Sequence, residues 1–284
     1  RDRGGRVAWP GQPEGSRIVS HLLREHAPIT DESWARIDDE ARERLAPALA
    51  ARKLVDFGGP HGWQHSATNL GRIAALDGPF PRVTAAQRRV LPLVELRAPF
   101  DVLRTELADS DRGAEDTDFD DLDEAAHALA AAENAVVFHG FDASGIVGIA
   151  QASTHTAIPL GTDCNRYARH VAKAIELLLG AGVGGPYGMA LGPAAHELVL
   201  ESTEDGGWLL LDHLRKILAG PLVWAPGVEG AVVLTMRGGD FLFEAGEDIS
   251  VGYERHGGDA VTLYLEESFS FRVATPEAAV ALTP

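Results

Sequence analysis

The residues able to do chemistry are few, and they do not converge on one centre. Eleven histidines are scattered over 284 residues. His61 and His65 stand four apart, a spacing that lets two imidazoles share a zinc ion on one helix face. The H-E-x-x-H pattern is absent, however, and Gly62 weakens any helix there. His196 is followed by Glu197 with no second histidine at the matching distance. Cys164 is the single cysteine, which excludes an internal disulfide framework or a cysteine-rich metal cluster. No base accompanies it, so it reads as an ordinary cysteine at a helix start. Ser144 lies beside Gly145 without the G-x-S-x-G spacing of a nucleophile elbow. The run Gly180, Ala181, Gly182, Val183, Gly184, Gly185, Pro186 is glycine-rich but carries no basic residue. It also lacks the strand-before, helix-after context of a phosphate cradle. No catalytic, cofactor-binding or metal-ligating residue is assigned, and the chain reads as a non-enzyme.

Composition narrows the classes further. Lys and Arg total 25 against 42 Asp and Glu, a formal charge of −17. That balance opposes a general nucleic-acid binder, which needs a basic surface. The charge is uneven: between Glu106 and Glu124 ten acidic residues face Arg112 alone. This segment reads as a solvated acidic loop. Hydrophobic residues make up 45%, enough for a sizeable core. No apolar run reaches the roughly 18 residues of a membrane span. Residues 1–19, rich in Gly, Pro and Arg, lack the apolar stretch of a secretory signal and read as a flexible arm.

The elements that would position any site follow from periodicity. Ser20 to Ala27 reads as a short helix ended by Pro28. Thr30 is an N-cap, followed by Asp31 and Glu32 in the first turn. Trp34, Ile37, Ala41, Leu45 and Ala48 then make one apolar stripe, with Pro47 kinking or restarting the helix. Trp63 to Arg89 reads as an extended hairpin or arm. Val90 to Val102 reads as a strand, at an edge or bulged because of Pro92 and Pro99. Helices are expected over Asp121–Phe138, Tyr167–Leu179 and Leu209–Leu218. Strands are expected at Tyr187–Leu191, from Val223, at Val232–Thr235, and around Leu242, Ile249, Val251 and Tyr253. The last, Val261–Val273, alternates cleanly. The pattern is α+β.

Six segments taken together resemble the family 1 encapsulins, the linocin-like shell proteins akin to tailed-phage major capsid proteins. They are LLREHAPITDESW (22–34), RKLVDFGGPHGW (52–63), LPLVELRAPF (91–100), ENAVVFHGF with GIVGI (133–149), GVGGPY (182–187) and the long block from Arg237 to Ala278. The resemblance runs from Leu22 to the C-terminus. It implies the Hong Kong 97-like fold: N-terminal helices over 20–56, an E-loop with flanking strands over 57–100, and a P-domain with a long helix over 101–160. An A-domain over 161–224 and returning strands over 225–284 complete it.

The function implied is a structural one. Such chains form cytoplasmic icosahedral shells of 60, 180 or 240 copies, 60 being expected for a chain of this length. They enclose cargo enzymes, ferritin-like proteins or dye-decolorizing peroxidases, for iron storage or oxidative-stress defence. Cargo docks inside through a C-terminal targeting peptide. No cofactor, nucleic acid or membrane is implied. Two expectations about residues follow. Ile37, Ala41 and Leu45, with Arg52 and Asp56 beyond them, would form a docking groove, Ile37 and Leu45 lying at its exposed edge. Residues Gly180 to Pro186 would line a pore at the five-fold axis. The alternatives are a phage or prophage major capsid protein and, more remotely, a peptidase or bacteriocin.

Overall fold

The computed structural model describes residues 20–161, 163–202 and 209–284; the arm expected at 1–19 lies outside them. The first regular helix is α1 (Asp31–Ala48), and the Thr30 side chain accepts from the Ser33 N–H as its N-cap. A 3-10 turn (Ala51–Lys53) leads to β1 (Asp56–Gly58). Strands β2 (Ala67–Leu76) and β3 (Ala85–Pro92) follow, then β4 (Val94–Leu103) and α2 (Arg104–Asp111). Next come α3 (Asp120–His139), α4 (Ile149–Ala152), β5 (Ile158–Pro159) and α5 (Tyr167–Gly180). They lead into β6 (Tyr187–Leu191), α6 (Pro193–Glu201), α7 (Leu210–Leu218) and β7 (Leu222–Trp224). The chain closes with β8 (Ala231–Thr235), β9 (Phe241–Ala245), β10 (Ser250–His256), β11 (Ala260–Val273) and β12 (Ala279–Thr283).

These strands make two five-stranded sheets and a separate two-stranded ribbon. One sheet runs β1-β9-β11-β10, with β4 paired to β11; the other runs β5-β12-β8-β6-β7. β2 and β3 pair only with each other. Each large sheet has its own core. Around the second sheet, Val171, Ala174 and Leu178 of α5 and Leu210, Leu214 and Leu218 of α7 pack on β6 and β8. Under the first, the α1 stripe meets Leu122, Ala126 and Leu129 of α3 and Val261, Leu263 and Leu265 of β11.

Two elements belong to both cores. α3 gives its first half to one core and Val136, Val137 and Phe138 to the other. β11 gives Val261, Leu263 and Leu265 to one and Phe269 and Phe271 to the other, all of the same parity. Its intervening residues Tyr264, Glu266, Ser268 and Ser270 are buried as well, so the alternation belongs to a strand covered on both faces.

Several expectations change. Part of the acidic segment is helix α2, because the Asp111 carboxylate accepts from Thr30 and Ser33 and fastens it to the start of α1. The stretch 90–102 is two strands: Pro92 ends β3, and the Leu93 N–H turns to the Ser66 carbonyl. Only Arg24–His26 of the expected first helix winds, as a 3-10 turn after Leu23, which sits in the left-handed region at φ 51°. Pro47 neither kinks nor restarts α1; it lies in the last turn. Helix α6 has no counterpart in the periodicity reading.

Where α1 ends, Asn134 of α3 adds four hydrogen bonds to the backbone. Its Oδ1 accepts from the Ala50 and Ala51 N–H groups, and its Nδ2 donates to the Ala48 and Pro226 carbonyls. Asn134 is fully buried. The Ala50 N–H and Ala48 carbonyl also bond to each other, so Asn134→Ala takes the side-chain partner chiefly from the Ala51 N–H and the Pro226 carbonyl, and a loss of about 2–3 kcal/mol is expected. Calorimetry should show a lowered thermal midpoint; an unchanged one would mean the backbone finds other partners.

Candidate assembly, docking and pore surfaces

The β2–β3 ribbon is the part of the chain least able to satisfy itself. Its strands run antiparallel from Ala67 opposite Pro92 to Leu76 opposite Ala85, with a bulge between Asn69 and Arg72. Neither face is covered: Ile73 is 70% exposed and Phe80, at the tip, 73%. Leu76, Val83 and Val90 are exposed too. A two-stranded ribbon is marginal in water by itself. It is held at its base, where Thr68 Oγ1 and Ser270 Oγ lie 2.7 Å apart and Gly62 N–H donates to the Gly246 carbonyl.

The glycine-rich run closes α5 and enters β6. The Val183 N–H donates to the Leu178 carbonyl and its side chain is buried in the core. Tyr187 Oη donates to the Val183 carbonyl, and Thr235 Oγ1 donates to that of Gly184. The rim left exposed is Gly180, Ala181, Gly182, Gly184, Gly185 and Pro186. Val183 is therefore removed from the expected lining: it anchors the loop and does not face an opening. Gly182 has φ +78°, a conformation that favours glycine, whereas a Cβ at Gly184 would meet nothing within 4 Å.

The α1 region also differs from expectation. Ile37 and Ala41 are 0% exposed and Leu45 is 3%, so none offers an edge to a peptide. The reason is that α1 packs on α3 and α2, and its stripe lies in one buried cluster with residues of the first sheet. Arg52 does not pair with Asp56. Its Nε donates to Glu133 at 2.6 Å and its Nη2 to Glu267 at 2.8 Å, and Nη1 donates to Asp248. The faces of Phe57 and Phe243 lie 5.0 and 5.7 Å from the guanidinium. Asp56 is exposed, and its Oδ2 accepts from the Gly239 N–H at 2.6 Å.

His61 and His65 do come together, with ring centroids 4.7 Å apart, and His61 Nε2 is 2.9 Å from Glu244 Oε2. Among the described residues no group of three or more His, Cys, Asp or Glu is arranged to hold a metal ion. No described helix is long and apolar enough to cross a membrane.

A linocin family described as "encapsulating protein for peroxidase" matches residues 19–270. The type 1 encapsulin shell protein of Rhodospirillum rubrum is 46% identical over 270 residues, covering 93% of this chain and 96% of that one. That of Brevibacterium linens is 39% identical over 266 residues, covering 93% and 100%. The chain belongs to the encapsulin shell-protein family. Among solved structures, the virus-like particle from Pyrococcus furiosus superposes with a TM-score of 0.63 at 16% identity, covering 88% of this chain and 99% of that one. A chain of the Mycobacterium phage Ogopogo structure gives 0.54 at 14%, covering 82% of this chain and 91% of that one. These likenesses show the Hong Kong 97-like fold, in its α+β form.

The family model and the relatives reported above are those of shell proteins. In an encapsulin-type shell protein the surfaces that matter are those that meet copies, cargo and traversing solutes. Sequence reasoning placed the ribbon and the glycine rim. It missed the commitment of Arg52 to three carboxylates; the acidic residues at 133, 248 and 267 are too far apart in sequence to signal a shared partner. For Val183 the anchoring role has a direct consequence. Val183→Ala should cost about 2 kcal/mol of stability, read as a lowered thermal midpoint, through lost apolar burial. A change in solute passage at unaltered stability would return Val183 to the lining.

Proposed function

We propose that this encapsulin-type chain assembles with copies of itself into a closed icosahedral nanocompartment, of 60 subunits, in the cytoplasm. The observation that carries this reading is the uncovered ribbon on a chain whose relatives are shell proteins over nearly its whole length. Ile73, Leu76, Phe80 and Val83 have no partner surface on their own ribbon, and burial against a neighbouring copy would gain about 25 cal/mol per Å². In this reading β2–β3 is the E-loop, α3 the long P-domain helix, and α5 to α7 with the second sheet the A-domain.

The shell encloses a cargo enzyme bearing a C-terminal targeting peptide. A dye-decolorizing peroxidase and a ferritin-like protein are the two cargo classes, serving oxidative-stress defence or iron storage; the family description supports the peroxidase. The peptide docks on the lumenal side near the end of α1 and β1. There Asp56 and the half-exposed ring of Phe57 face outward, while Ile37, Ala41, Leu45 and Arg52 hold the surface from beneath. Single-peptide affinity is modest and is multiplied by the several copies on an oligomeric cargo. The glycine rim of 180–186 borders the five-fold opening. It bears no charge, so passage there is governed by width.

Three measurements test this. Size-exclusion chromatography and negative-stain microscopy should show a megadalton hollow particle free of nucleic acid. Ile73→Asp with Phe80→Asp should yield small species with unchanged circular dichroism; a small species from the parent chain would end the assembly reading, and a genome-filled particle would make it a capsid. A fluorescent protein carrying the C-terminal peptide of a genomically adjacent enzyme should be loaded. Phe57→Ser with Asp56→Ala should reduce loading several-fold in intact shells, and full loading would move the groove elsewhere. Gly184→Asp and Gly184→Lys add opposite charges to the rim at a position with room for a side chain. They should change metal-ion influx in opposite directions, and equal rates would place the opening elsewhere.

A further inference from the structure

We propose that Glu267 is a neutral carboxylic acid in the folded chain and shares its proton with the Glu133 carboxylate, so that a buried proton closes the junction between the two cores. The site lies where β11 and α3 pass from one core to the other. Glu133 is 0% and Glu267 1% exposed. Each gives one oxygen, Oε2, to Arg52. The other oxygen of each, Oε1, is buried with no donor among the protein groups. The two side chains lie within hydrogen-bonding reach of one another, and two ionised carboxylates have no donor to offer each other; one proton between them supplies it for both.

The charge inventory requires the same thing. Among the described residues, the ion pairs reaching Glu133, Asp248 and Glu267 all come from Arg52. One positive charge against three negative ones leaves an excess of two, in a place where charge is expensive. Asp248 is partly open to solvent, whereas Glu133 and Glu267 are not. Neighbouring elements bring no relief. On the adjacent strand position Glu266 points to the opposite face, toward Arg97 of β4 and His21. Glu247 sits beside His21, Glu95 beside Arg97, and Glu244 of β9 beside His61. Lys53 turns outward to the Pro47 carbonyl. Burial, and then the adjoining Glu133 charge, push the Glu267 carboxyl well above the usual range, against the pull of Arg52.

The direction of the pH dependence follows. The folded chain holds a proton that the unfolded chain releases in the ordinary glutamate range. This contribution to stability is complete below that range and is lost as pH rises through the raised folded value. As the proton leaves, Glu133 and Glu267 repel across the seam that joins η-turn, helix and strand at residues 52, 133 and 267.

Infrared spectroscopy of the intact protein tests this, assembled or not. A protonated carboxyl absorbs well above the carboxylate bands, and wild-type protein at neutral pH should show such a band. Glu267→Gln removes the acid but keeps an amide that can donate to Glu133, so it should delete the band. It should also flatten the decline of thermal midpoint from neutral to alkaline pH. Glu133→Gln donates to Glu267 and lets it ionise, so it should delete the same band by a different route; it serves if the first variant fails to fold. Absence of the band from wild type, or its persistence in the folded variants, would overturn the proposal.

Discussion

A single buried guanidinium decides how this chain is put together. Arg52 touches α3 through Glu133, the turn before β10 through Asp248, and β11 through Glu267. Hydrophobic packing alone would let the two cores slide along α3, since Leu, Ala and Val contacts are non-directional. Three carboxylates converging on one planar fork allow a single arrangement. Next to it, Asn134 ties the end of α1 to the same helix. Replacing such a cluster by well-packed apolar groups can be neutral, but breaking one member strands the others; about 3–5 kcal/mol is the usual scale. Its contribution is therefore register more than raw stability.

That seam explains which parts of the fold are legible from sequence. α1, α3, α5, α7 and β11 announce themselves because their apolar positions recur with a regular period, and α1 has a local N-cap at Thr30 as well. β1 and β5 are two or three residues long and exist because longer strands, β9 and β12, lie beside them. α6 starts at Pro193 after Gly192 and buries only Ala195 and Val199 along its nine residues, too thin a stripe to stand out. α2 is masked by its four charges, Arg104, Glu106, Asp109 and Asp111, each of which finds a partner at the helix surface. The functional surfaces divide in the same way. The ribbon and the glycine rim are visible as composition. Which side of a stripe is consumed by the chain's own core is not, and that is why the burial of Ile37, Ala41 and Leu45 could not be read from their spacing.

Internally the two sheets and their cores leave little unfinished; at the ribbon the chain is incomplete. Interior residues on both faces of β11 are covered, whereas both faces of β2–β3 stand in solvent. β4, which carries Pro99 opposite Tyr264, pairs on one side only. An edge strand interrupted by proline and a ribbon with exposed apolar residues are the features of a subunit whose remaining contacts are made by symmetry.

The run 180–186 presents small residues at the surface without becoming slack. Glycines alone would leave the loop with no preferred path, because each adds backbone entropy to be lost on folding. Here one side chain, Val183, is spent inward on the core, and hydrogen bonds from Tyr187 and Thr235 hold the carbonyls on either side of the turn. The neighbouring glycines are then free to face outward with no side chain at all. The buried and the exposed positions are different residues of the same seven, so a substitution at 183 and one at 184 address different properties: the first the packing that holds the loop, the second the chemistry of its exposed surface.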